Sequence, residues 1–114
     1  MPKKKPEKTI VIFRRYPKKE GGEVIAIFPC VPATNNAYTC SCYVHMGQHG
    51  ACDPIHVIMN TKPGKLNDPD VKALKRELEH YGPPDAHYHL DVRQRYSHRY
   101  LDDRRADLSK EVHQ

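Results

Sequence analysis

Two strongly apolar runs near the start of the chain, joined by a charged turn, limit the possible folds most. The runs "TIVIFRRY" (9–16) and "VIAIFPCVP" (24–32) are rich in β-branched and aromatic residues, which suit strands. Between them, Gly21 and Gly22 can take the positive φ angles that hairpin connections use. The pattern predicts a β-hairpin whose second strand is stopped by its prolines, Pro29 and Pro32. Because both faces of this hairpin are apolar, we expect one face to pack on the chain's own helix and the other on a partner.

The segment "NDPDVKALKRELEHYG" predicts one amphipathic helix. Asp68 can cap its first amides and Pro69 suits the first turn, while Gly82 is placed to end it. One apolar stripe recurs at helical spacing, and it consists of Val71, Leu74, Leu78 and Tyr81.

Two further strands complete the predicted fold. "YTCSCYVHM" alternates between apolar and polar positions, and "AHYHLDVRQRY" does so after the helix. The segment "DPIHVIMNTKPG" is compatible with a short strand or with a loop. The order β-β-β-α-β predicts an α+β fold, a small antiparallel sheet with one helix packed on a face.

The 114 residues predict one domain at 9–97, preceded by a disordered basic arm (1–8) and followed by a charged C-terminal tail (98–114). Positive charge is concentrated in the basic arm, which carries four lysines, and in the run "RQRYSHRY" (93–100), which carries three arginines. No signal peptide or membrane-spanning run is evident, so we expect a cytoplasmic protein without a membrane partner. In that compartment the four cysteines should be reduced thiols rather than a disulfide framework.

The glycine-flanked piece "HMGQHG" is the most distinctive part of the chain. Gly47 and Gly50 permit a tight turn, from which polar side chains would project at the end of the sheet. We expect a recognition loop here, and an ordinary structural turn is the alternative. The residues of the predicted binding loop are His45, Gln48, His49 and Asp53.

Thiols and imidazoles in the same region raise the possibility of zinc. The candidate ligands are Cys40, Cys42, His49 and Cys52. Their spacing is not that of a standard finger or ribbon, and the alternative places Cys40 and Cys42 in the core as small apolar residues. No local signature of a cysteine hydrolase is present, so no catalytic residue is assigned and the balance is against an enzyme. No cofactor is expected unless zinc binds.

Basic residues at both ends suggest nucleic acid as an alternative partner. The candidate phosphate contacts are Lys3, Lys4, Lys5, Arg93, Arg95 and Arg99.

The segments "IVIFRRYPKKEGGEVIAIFPCVPA" and "SCYVHMGQHGACD" resemble a small family of bacterial and bacteriophage proteins with an H-x-G-Q-H-G loop and no assigned activity. The β-β-β-α-β order and the proline-bearing end of the hairpin more loosely resemble HicB-like antitoxins, which bind a protein partner and oligomerise. These resemblances imply a prokaryotic or phage origin. We therefore expect a non-enzymatic binding module, an accessory protein of a phage or mobile element, acting on a protein partner or on itself as a homodimer.

Overall fold

The computed structural model of the chain describes residues 8–33, 39–44, 48–80, 87–94, 96–97, 99–104 and 106. Within these ranges the fold is α+β, as predicted from the element pattern. The strands are β1 (Thr9–Arg15), β2 (Val24–Pro32), β3 (Cys40–Val44), β4 (Gln48–Cys52), β5 (Lys62–Pro63) and β6 (Leu90–Val92). Helix α1 (Pro54–Met59) lies between β4 and β5 in the chain, and helix α2 (Pro69–His80) lies between β5 and β6. No helix in this part of the chain is long and apolar enough to cross a membrane.

The predicted hairpin of β1 and β2 is confirmed. The strands pair antiparallel, with Ile12 opposite Ile27. Gly21 and Gly22 take the expected positive φ angles, 106° and 67°. However, β2 does not stop at Pro29, because its pairing with β3 is irregular between Phe28 and Pro32 and such irregular pairing can accommodate prolines.

The sheet is mixed rather than purely antiparallel. Its strand order is β4-β3-β2-β1-β5, and β6 also pairs with β1. That last pairing is parallel and joins Thr9–Val11 to β6, while β5 covers the other end of β1 at Arg14 and Arg15. Two short strands therefore share the outer side of β1.

Helix α2 covers one face of the sheet, as its apolar stripe predicts. Val71, Leu74 and Leu78 are buried against Phe13 and Phe28, among others. The predicted stripe residue Tyr81 and the stop at Gly82 lie outside the described residues. The strands and α2 thus form the first of two core clusters.

The opposite face of the sheet is covered by the same chain, which corrects the expectation of a partner there. Ile12 and Ile27 pack in a second cluster with Val57 of α1 and with Leu101. Helix α1 replaces the short strand or loop that the sequence left open. It forms because the Asp53 carboxylate accepts the Ile55 N–H at 3.0 Å and proline occupies the first helical position.

Residues 99–104, placed by the sequence in a charged tail, are helical and pack on the domain. Leu101 is only 1% exposed, and the Tyr100 hydroxyl lies 3.8 Å from the Cys30 Sγ at the end of β2. The domain's packed part thus continues past the boundary expected at residue 97. The segment was missed because its few apolar residues, flanked by charges, do not make a helical stripe.

Candidate functional site at the β4 edge

The residues of the predicted recognition loop belong largely to an edge strand. Five consecutive pairs join β3 and β4, from Cys40 opposite Cys52 to Val44 opposite Gln48. Gln48, His49 and Gly50 therefore lie on a strand and not in a loop. The prediction was wrong because both glycines were taken as turn residues, whereas Gly50 is accommodated within the ladder opposite Cys42.

The other two members of the predicted loop have different positions. Asp53 follows β4 directly and its carboxylate caps α1, so at least one of its oxygens has a structural role. His45 lies outside the described residues, as do the side chains of Gln48 and His49. Residues 48 and 49 begin β4 and residue 53 follows its other end, so the structure spreads them along one edge of the sheet and does not bring them to one point.

Three cysteines meet on the face covered by α1 and residues 99–104. Cys40 and Cys52 are directly opposed across β3 and β4, with their Sγ atoms 3.8 Å apart. Cys40 and Cys42 are 0% and 8% exposed, which confirms their interpretation as core residues. Cys52 packs at the margin of the same cluster and is only half-buried.

The environment of Cys42 and Cys52 disfavours their thiolate forms. Contact with the Cys40 thiol raises the pKa of Cys52 to about 12, and burial adds to this effect while the contact with Cys42 opposes it. The pKa of Cys42 is raised as well, by its contact with Cys52 and by burial. At neutral pH Cys42 and Cys52 are therefore thiols, which are weak nucleophiles.

The zinc hypothesis gains no support from this arrangement. Position 49 pairs with Tyr43, three pairs along the ladder from Cys40–Cys52. Tyr43 packs in the cluster on the α2 face, whereas the three cysteines pack on the opposite face, so the strands do not bring the four proposed ligands to one point. Across the described ranges, no group of three or more His, Cys, Asp or Glu residues is arranged to hold a metal ion.

Two of the basic candidates, Arg93 and Arg99, lie in the described part of the chain. Arg93 is exposed and its guanidinium is bound to the Asp91 carboxylate at 3.0 Å. It borders a crevice of about 460 Å³ between β5 and β6, at the far edge of the sheet from β4. Arg99 is exposed on the C-terminal helical segment. The remaining candidates, Lys3, Lys4, Lys5 and Arg95, lie outside the described residues.

No protein-family model, curated protein or solved structure matches this chain. The resemblances to a phage-associated family and to HicB-like antitoxins therefore stay predictions.

Proposed function

We propose that this chain is a non-enzymatic protein-binding module that binds by adding a strand to the free edge of β4, and that its partner is a second copy of the chain. The observation that carries the proposal is the place of β4 at the end of the strand order, with β3 as its one neighbour among the described strands. Alternate residues of such an edge strand direct their N–H and C=O groups away from the sheet, where another strand can bind them.

The two edges of the sheet differ in how they are protected. On the outer side of β1, β5 consists of an exposed lysine and an exposed proline, and β6 is three residues long with a central aspartate. Short strands, charges and prolines of this kind prevent edge-to-edge association. The sequence of β4, "QHGAC", contains no Lys, Arg, Asp, Glu or Pro. This contrast supports β4 as the edge used for binding.

The sequence of β4 also suits pairing with itself. In an antiparallel pair of two β4 strands centred on Gly50, Gly50 lies opposite its copy, His49 opposite Ala51, and Gln48 opposite Cys52. No acidic side chain meets another, and the two central glycines leave room for close approach. A two-fold axis at this point would join two sheets into one and close the assembly as a dimer.

A charge exchange at Gly50 tests this geometry. Gly50 is exposed and has an ordinary strand backbone, and a Cβ there would lie 3.5 Å from the Cys42 Sγ, a normal contact distance. In the proposed dimer, Gly50→Lys places two lysines directly opposite each other, and Gly50→Glu places two glutamates so. We expect each variant alone to sediment as a monomer and their equimolar mixture to sediment as a dimer.

The matched control is Ala73→Lys, which adds the same charge at an exposed position of α2 and should sediment like the wild-type dimer. A wild-type chain that stays monomeric at every concentration tested would refute self-pairing. So would Gly50→Lys and Gly50→Glu variants that are as dimeric as the wild type.

A further inference from the structure

Cys40 and Cys52 are positioned so that their thiols can be oxidised to a disulfide. We propose that Cys40 and Cys52 form a reversible disulfide, linking β4 to β3, when the chain meets a small-molecule disulfide such as oxidised glutathione. This inference depends on the pairing of β3 with β4 and not on the proposed self-association.

The backbone geometry already suits a bridge between these two residues. Cys40 and Cys52 are directly opposed in an antiparallel ladder, where paired Cα atoms lie about 4.5–5.5 Å apart. Disulfides span Cα separations of about 4.4–6.8 Å. The Sγ atoms, now 3.8 Å apart, must approach to about 2.05 Å, a change that side-chain rotation can supply while the strands stay in register.

The Cys42 thiol also contacts Cys52, but the backbone position of Cys42 does not suit a bridge to either residue. It is paired with Gly50, so its relation to Cys52 is diagonal. Diagonal neighbours lie about 7–8 Å apart, beyond the roughly 7 Å above which bridging requires backbone movement. Cys40 lies two residues away on the same strand, where the pair cannot easily bridge. Cys42 therefore serves as an internal control.

The exchange proceeds in two balanced steps. The Cys52 thiol loses its proton to solvent, and its sulfur attacks one sulfur of the small disulfide, giving a mixed disulfide and releasing the first small thiolate. The Cys40 sulfur, on losing its own proton, then attacks the Cys52 sulfur and expels the second small thiolate. The two protein thiols are oxidised, the small disulfide is reduced to two thiols, and these take up the two protons.

The solvent exposure of the two cysteines decides which of them reacts first, and the pKa of Cys52 decides how the rate depends on pH. Cys40 is 0% exposed, whereas Cys52 is half-buried at the margin of its cluster, so the small disulfide meets Cys52. Because the pKa of Cys52 is raised to about 12, its thiolate fraction grows about tenfold with each pH unit below that value. Formation of the disulfide should therefore be slow at neutral pH, and its rate should rise about tenfold with each pH unit.

The test is incubation of the 114-residue chain with oxidised glutathione at a series of pH values, followed by alkylation of free thiols and mass spectrometry of a chymotryptic digest. Cleavage after Tyr38 and Tyr43 separates the peptide with Cys40 and Cys42 from the peptide with Cys52. We expect a product that lacks two hydrogens, with these peptides cross-linked and Cys42 alkylated. Cys42→Ser should give the same cross-link, and Cys40→Ala should stop at glutathione attached to Cys52.

The proposal is overturned if the wild-type chain stays reduced or stops at the mixed disulfide across the pH series. It is also overturned if the cross-linked peptide contains an alkylated Cys40, which would place the bridge at Cys42. The wild-type digest decides between these results even if the Cys40 variant does not fold.

Discussion

Replacing Arg14 with methionine should lower the free energy of unfolding by about 3 kcal/mol. Charged hydrogen bonds contribute roughly 1.5–3 kcal/mol each, and acceptors left buried without a donor add to the loss, while burial of the apolar methionine side chain partly offsets it. Arg14 is 6% exposed. Its guanidinium donates to the Thr61 hydroxyl at 2.8 Å, to the Tyr96 hydroxyl at 2.7 Å and to the Ile58 carbonyl at 3.0 Å. It also donates to the Thr61 carbonyl. One side chain of β1 thus binds the end of α1 and the segment after β6.

The neighbouring Arg15 provides a matched control for this measurement. Its guanidinium forms ion pairs with Asp68 at 3.7 Å and with Asp70 at 3.1 Å, at the start of α2. These groups are partly exposed, and ion pairs of that kind contribute about 1 kcal/mol or less. In urea denaturation, Arg14→Met should therefore shift the midpoint much further than Arg15→Met. Equal shifts for the two variants would show that Arg14 does not hold α1 on the sheet.

Truncating Leu101 to alanine should cost about 2–5 kcal/mol, the usual range for a fully buried leucine. The side chain is 1% exposed and packs in the cluster that contains Ile12, Ile27 and Val57. Its loss would leave a cavity under the C-terminal helical segment. Urea denaturation followed by circular dichroism measures the effect.

A substitution at the exposed neighbour Asp102 serves as a control, because it distinguishes the loss of Leu101 packing from a general effect of mutating this segment. Asp102→Ala changes a surface position of the same helical turn, so it should alter stability by no more than about 0.5 kcal/mol. If Leu101→Ala is as mild as Asp102→Ala, residues 99–104 do not pack on the domain, and the sequence-based tail beginning at residue 98 would be the better description.

The elements that could be predicted are those whose determinants are local. The hairpin follows from two β-branched runs around Gly21 and Gly22, and α2 follows from a helical stripe with proline at its start. Helix α1 has too few residues to display a stripe, and its signal was the Asp53-Pro54 pair, an N-cap followed by proline at the first position. The packing of residues 99–104 on the second face of the sheet could not be predicted, because Leu101 is buried there by tertiary contacts that no local pattern indicates.

The proposed binding edge includes residues of the predicted recognition loop, whose local structure was predicted wrongly. An interpretation of Gly47 as part of a β3–β4 connection would have paired positions 40 and 52 and revealed the opposed cysteines. This pairing was not predicted because glycine is uncommon inside strands, so Gly50 was interpreted as a turn residue. The four hydrogen-bond acceptors of Arg14 lie 44 or more residues away in sequence, so no local pattern could have indicated its role.

Amide hydrogen exchange of residues 48–52, followed as the protein concentration is raised, tests the central claim about the β4 edge most directly. Outward-directed amides of an edge strand exchange with solvent, and they become protected when a second strand binds them. We predict that protection of β4 increases with concentration in the wild-type chain and stays constant in Gly50→Lys. Exchange of β4 that is independent of concentration in the wild-type chain would contradict self-pairing through this edge.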